Sequence, residues 1–287
     1  MKALLYYFLL LPSLVFALPA GNPCEPSLFC SGLFDCDNPC GQYCESEFSF
    51  RAGYYGDYVF DRALRIDRSN AQSTMREVQI NTNAFLADFN LWNRFDIYAL
   101  FGVSKIHLET PSGAFLIDTL GAPYVNETLT LGTESNFSWG AGVRASLVQC
   151  CGFCFGLDGK YFYTNPSINF VTVTTASTGY PSGSSFKFHE WQVDFGTTYS
   201  FCVGPYWTLL PYASLNWSNA RATMDNAIQN LTFTDLVYIL QLYDLKQQKA
   251  WGYALGITLL GCDYFTVTFE GRFASQTAFS FNTQLRF

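Results

Sequence analysis

The chain has 287 residues, enough for one large domain or two small ones, and carries 23 acidic against 16 basic residues, a formal charge of −7. That acidity excludes the basic footprint of a nucleic-acid binder. Aromatic residues make up 18% and charged residues only 14%, below the roughly 25% charge of soluble domains, yet no internal stretch supplies the about 20 apolar residues of a spanning helix.

Residues 1–17 read as a signal peptide: Lys2 gives the positive start, residues 3–11 are an apolar run too short to span, and Val15 and Ala17 suit the cleavage positions. Pro12 breaks the run as a helix. A mature chain starting at Leu18 holds 15 basic and 23 acidic residues, a charge of −8. Residues 18–45 form a Cys-rich segment with Cys24, Cys30, Cys36, Cys40 and Cys44. Cys150, Cys151 and Cys154 cluster later, and Cys202 and Cys262 stand singly. Ten cysteines in an exported chain point to disulfides, within the chain or to other chains, with no pairing readable from spacing. Zinc fits poorly: neither cluster pairs a C-x-x-C with a second C-x-x-C at zinc-finger spacing, and the chain has two histidines.

Residues 46–287 are dominated by period two. Phe48, Phe50, Ala52 and Tyr54 alternate with Ser49, Arg51 and Gly53. Phe137, Trp139, Ala141, Val143, Ala145 and Leu147 alternate with Ser138, Gly140, Gly142, Arg144 and Ser146. Phe153, Phe155, Leu157, Tyr161 and Tyr163 oppose Asp158 and Lys160. Trp191, Val193, Phe195, Tyr199 and Phe201 oppose Gln192, Asp194, Thr198 and Ser200. The same pattern covers residues 251–259 and 265–273, the latter placing Glu270 and Arg272 opposite Phe269 and Phe273. Each segment is about nine to eleven residues, the length of a tilted membrane strand. A soluble sandwich also alternates. Aromatics near segment ends, and charges mixed with glycines on the other face, favour lipid outside and water inside. The expected fold is therefore an all-β, transmembrane, antiparallel up-and-down barrel of about 14 strands, with 12 to 16 allowed, and a closed ring satisfies every backbone group without an edge.

Residues 121–132, 175–185 and 218–230 read as loops, and 149–152, 246–249, 260–263 and 274–276 as short turns. This count puts residues 218–230 on the side where connections are normally short; an extra strand at residues 231–235 would repair it. Phe279, Phe281, Thr283, Leu285 and the last residue, Phe287, share one face. Trp139, Trp191 and Trp251 are expected at the membrane interface.

Arg51, Arg94, Asp96, Arg144, Asp158, Lys160, Asp194, Glu270 and Arg272 fall on polar faces. A charge facing lipid at mid-bilayer costs about 2–4 kcal/mol, so these are the candidate pore-lining residues. A ring of about 14 strands is wider than its side chains fill, and such charges would then set the field for passing ions. They could also simply pair across the wall. No catalytic or metal constellation stands out. His107 and His189 are the histidines, and His189-Glu190 lacks the second histidine of a metal helix. No cofactor is expected, and no enzyme.

Residues 18–27, Leu-Pro-Ala-Gly-Asn-Pro-Cys-Glu-Pro-Ser, resemble the mature N-terminus of the chlamydial major outer membrane porin family. Residues 53–62 look like that family's first strand pair, and residues 93–97, 137–144, 189–193 and 284–287 are also similar. The chain is shorter than typical members, and the resemblance places the missing length in the surface loops. The resemblance implies a general porin of the outer membrane that forms homotrimers in outer-membrane lipid. It implies disulfide links to cysteine-rich envelope proteins, and a C-terminal Phe287 read by the barrel-assembly machinery. A cross-linked wall protein with a closed lumen is the alternative.

Overall fold

A computed structural model describes residues 21–27, 48–67, 75–111, 115–117, 128–173, 178–181, 183–203, 207–225, 228–233, 236–261 and 265–287. Ten long strands close a ring: β1 (Phe48–Arg62), β2 (Glu77–Leu91), β3 (Phe95–Pro111), β4 (Asn136–Cys150), β5 (Phe153–Thr164), β6 (Ser185–Tyr199), β7 (Trp207–Asp225), β8 (Trp251–Gly261), β9 (Phe265–Phe273) and β10 (Gln276–Arg286). Each pairs antiparallel with its sequence neighbours, and β1 pairs with β10 from Arg51↔Arg286 to Arg62↔Gln276. The all-β antiparallel barrel is the expected fold. The sheet containing the ring has 16 strands, within the expected range, but ten of them make the circle.

At one end the connections are short. Residues 92–94 link β2 to β3, with Trp92 and Asn93 both at φ 53°, and the Arg94 amide donates to the Leu91 carbonyl at 3.1 Å. Residues 151–152 link β4 to β5, where Gly152 takes φ 83° at no steric cost. At the other end most connections are long and carry short strands of their own. Thr128–Thr133 adds to the end of β3, and Ile168–Val173 adds to Thr128–Thr133. Leu245–Gln247 bridges β7 to Leu64–Ile66, above the shorter β8, β9 and β10. Ile228–Phe233 and Leu236–Gln241 form a hairpin in a separate small sheet.

Several expectations change here. Residues 218–225 are the end of β7, not a loop, and the real connection, residues 226–250, lies at the long-loop end. The side problem therefore disappears, and the extra strand expected near residues 231–235 is found as Ile228–Phe233, in the small separate sheet rather than in the ring. Residues 246–249 are not a turn, because Leu245–Gln247 is a strand. Residues 53–62 belong to the single strand β1 rather than to a strand pair. The signal peptide, residues 1–17, lies outside the described residues, as do Cys30, Cys36, Cys40, Cys44 and Cys262.

Both faces of the wall change character part-way along the strands. On β3 the outward residues are Phe95, Ile97, Ala99, Phe101 and Val103, then Lys105, His107 and Glu109, while Asp96 and Tyr98 give way inside to Ile106 and Leu108. β2, β6 and β7 switch in the same way. On β7, Leu215 and Trp217 outside are followed by Asn219 and Arg221, while Asn216 and Ser218 inside are followed by Ala220, Ala222 and Met224. The short-turn half is thus apolar outside and mostly polar inside, with Leu86 and Leu100 among its buried apolar residues; the long-loop half is the reverse. Inside the latter, Leu64, Val78, Ile106, Leu108, Leu131, Val171, Phe186, Phe188, Leu240 and their neighbours form one buried cluster. Each such side chain contributes roughly 1.5–3 kcal/mol on burial.

Candidate functional site

The inside of the short-turn half is built from ionisable side chains. Among the described residues five cations, Arg51, Arg62, Arg144, Lys160 and Arg272, and eight carboxylates, Glu25, Asp57, Asp88, Asp96, Asp158, Glu190, Asp194 and Glu270, are buried. Alternation places them: the strands bury Arg51, Asp57, Asp88, Asp96, Arg144, Asp158, Lys160, Glu190, Asp194, Glu270 and Arg272 because their neighbours in sequence face outward. Direct cross-strand pairing then aligns a row across six strands, Asn90–Asp96–Arg144–Asp158–Asp194–Asn216.

Three groups share the interior. Nearest the short turns, Arg51 meets Asp88 at 2.9 Å, Asp96, and Glu25 at 3.3 Å, while Arg144 meets Glu25 and approaches Asp88 at 3.5 Å. The Arg144 guanidinium also lies 4.8 Å from the centre of the Tyr98 ring, whose hydroxyl donates to Asp158 at 2.8 Å. In the second group Arg272 meets Asp57 and lies 3.5 Å from Glu270, which accepts from the Tyr212 hydroxyl at 2.7 Å. In the third, Arg62 donates to Glu190 through both terminal nitrogens, one at 2.6 Å, and to Gln276 at 3.1 Å, and stacks 5.6 Å from the Phe188 ring centre. Lys160 sits 4.5 Å over the Tyr55 ring and donates to its hydroxyl at 3.3 Å.

The third group marks the boundary between the halves. A cavity there is lined by the polar Tyr55, Asp57, Arg62, Thr82, Lys160 and Glu190 together with the apolar Val59, Ile80, Phe162 and Phe188. It has room for about one water molecule. Ten strands rather than about 14 make the ring, so the interior is narrower than expected, and long charged and aromatic side chains line it.

Eight of the nine candidate lining residues lie in this interior. Arg94 does not: it is half-buried in the 92–94 turn, where its carbonyl accepts from the Ser146 amide at 2.8 Å. Asp57, Asp88 and Glu190 were missed, although extending the alternation along β1, β2 and β6 finds them. Arg62 follows a bulge, where the β1–β10 register shifts between Val59 and Asp61 and reverses the parity. Glu25 carried no strand signal, since it sits in the short 3₁₀ turn Glu25–Ser27. The Cys-rich prelude thus does more than precede the barrel: residues 21–26 are buried inside it.

Cys150 and Cys202 are each disulfide-bonded. Cys24 lies against Cys154, hydrogen-bonded to it and buried. Cys151 is an exposed free thiol, 3.4 Å from Cys150. Trp139, Trp191 and Trp251 stand on the outer face where it turns from apolar to polar, with Tyr161 bridging Trp139 and Trp191 at ring separations of 5.3 and 4.7 Å. Phe48, Trp92, Phe95, Phe153, Tyr199 and Phe201 form aromatic contacts at the short-turn end, and Phe287 packs 6.3 Å from Phe50.

A closed antiparallel ring with an apolar outer band, a polar interior and short turns at one end is an outer-membrane β-barrel. The sequence pattern of the Chlamydia major outer membrane protein family matches residues 1–75 and 68–181, and the chain belongs to that family. It is 29% identical over 375 residues to the major outer membrane porin of Chlamydia abortus (strain DSM 27085 / S26/3), with 94% of this chain and 95% of that protein covered. The serovar F major outer membrane porin of Chlamydia trachomatis is 26% identical over 382 residues, with 94% and 95% covered. Among solved structures, the outer membrane protease OmpT of Escherichia coli aligns with a TM-score of 0.37 and 11% identity, over 84% of this chain and 95% of that one. The chain is located in the outer membrane, and its short-turn end is the periplasmic one.

Proposed function

We propose that the chain is a porin, not an enzyme, through which small hydrophilic solutes and ions diffuse passively. The observation that carries this is the charged interior at bilayer depth. Ion pairs buried in a wall add little stability compared with apolar packing, so a merely structural barrel has no need of thirteen ionisable groups inside. With eight carboxylates to five cations, the lumen favours cations. The eight candidates that lie within the interior set that field. Single-channel recording in planar bilayers tests the proposal: stepwise conductance and a reversal potential of cationic sign under a salt gradient are expected. An absence of steps from folded protein rejects the pore, and anion preference rejects the field.

The reading includes a mature chain from Leu18 after signal-peptide removal, a homotrimer in outer-membrane lipid, and Phe287 as the cue for the barrel-assembly machinery. Trp139, Trp191 and Trp251 anchor the outer interface. A second reading, a closed wall protein linked to cysteine-rich envelope partners, is supported by the buried apolar cluster inside the long-loop half and by the cysteines at the periplasmic end. Under it, reductant dissolves a high-mass complex on gels and conductance stays absent; a monomer without reductant counts against it.

A further inference from the structure

Residues 21–26 thread into the periplasmic mouth and are buried there. The Pro26 carbonyl accepts from Asn90 at 3.2 Å, the Cys24 carbonyl from Ser146 at 3.2 Å, and Asn22 donates to Thr198 at 3.4 Å. Gly156 leaves space for the segment: a Cβ there would lie 2.3 Å from the Pro23 carbonyl oxygen. At the centre, the Glu25 carboxylate accepts from three donors, Arg51 at 3.3 Å, Arg144 and Gln284.

The arginines do not require Glu25 for charge balance. Asp88 and Asp96 already contact Arg51 and approach Arg144. With Glu25 in place the cluster holds three carboxylates to two guanidiniums; without it, the two signs are equal. The seat is therefore complete in itself, and Glu25 is a guest in it. The geometry is that of a receptor: two guanidinium N–H groups and a carboxamide converge on one carboxylate.

We propose that residues 21–26 are a reversible stopper of the periplasmic mouth, and that the Arg51–Arg144–Gln284 clamp is a binding site for small carboxylate solutes that take the place of Glu25. This rests on the porin reading for the stopper, but not for the clamp. Because residues 21–26 belong to the same chain as the barrel, they compete for the clamp intramolecularly, so free carboxylates displace Glu25 only at high concentration.

Glu25→Ala empties the clamp, and acetate is the probe. Thermal unfolding of folded, detergent-solubilised protein is compared in sodium acetate and sodium chloride at equal ionic strength, about 100-fold above the millimolar scale of weak carboxylate binding. Acetate is expected to raise the Tm of Glu25→Ala by several degrees and that of the wild type by clearly less, because Glu25 competes for the clamp. Equal melting of the variant in both salts overturns the clamp. In planar bilayers the variant is expected to conduct at least about twofold more than the wild type; equal conductance overturns the stopper. If both proteins are silent, the porin reading and the stopper fall together, while the melting comparison still decides the clamp. Should Glu25→Ala not assemble, Glu25→Ser, whose shorter side chain also vacates the clamp, carries both comparisons.

Discussion

The two halves of the barrel solve opposite problems with the same strands. Towards the periplasm the wall faces lipid, so Phe95, Ile97, Phe101 and Val103 point out and Asp96 and Arg144 point in. Towards the long loops the outer residues are Lys105, His107, Asn219 and Arg221, and the inside is filled by Ile106, Leu108, Ala220 and Met224. The difference shows where the bilayer ends. Five outward apolar residues on β3, Phe95 to Val103, rise roughly 20 Å along the axis for a strand tilted about 40°. Beyond Val103 the barrel meets water outside, and its interior is packed as a soluble protein's core is. The long-loop half is an apolar cap on a charged lumen.

The sharpest challenge to this contrast is at the boundary, where Arg62 and Glu190 lie against Phe188. Arg62→Ala leaves Glu190 buried and without its guanidinium, and is expected to destabilise by about 3–5 kcal/mol. Replacing the pair together, Arg62→Met with Glu190→Leu, is expected to be near neutral, because the cap then extends one layer down. Urea unfolding in liposomes measures both. A double variant as damaged as the single one would show that the boundary is not set by pairing. Within the cap, Leu108→Ala removes a fully buried side chain and is expected to cost about 2–5 kcal/mol by the same measurement. A loss under about 0.5 kcal/mol, the range of ordinary surface substitutions, would mean the cap is not a packed core.

The reversal also explains how much the sequence revealed. In the lipid-facing half the alternation was plain, and it placed Arg51, Asp96, Arg144, Asp158, Lys160, Asp194, Glu270 and Arg272 inside. Further along β6 the apolar residues are Phe186 and Phe188, of opposite parity to Trp191, Val193 and Phe195. A period-two reading loses phase there and ends the strand early. On β7 the switch from Trp217 outside to Ala220, Ala222 and Met224 inside looks like a loop rich in small and polar residues, as residues 218–230 were read. β6 and β7 are thus 15 and 19 residues long, where about ten were expected. Bulges add a second loss of phase, at Val59/Asp61 before Arg62 and at Ser146/Val148, where Leu147 and Val148 are both exposed. Glu25 was beyond any such reading. Its place depends on three strands, β1, β4 and β10, converging on it, not on its own neighbours.

The smallest expected effect is the most direct probe of the membrane edge. Val143, on β4 opposite Ile97, is an outward residue within the apolar band, and His107 lies on the outward side of β3 beyond it. Val143→Arg is expected to cost about 2–4 kcal/mol, as for a cation at mid-bilayer. His107→Arg is expected to change stability by no more than about 0.5 kcal/mol, as on a wetted surface. Unfolding in liposomes of matched thickness compares the two. Equal costs would move the lipid edge beyond Val103 and turn the cap into part of the membrane wall, and then Lys105 and Glu109 would stand in hydrocarbon with no water to solvate them.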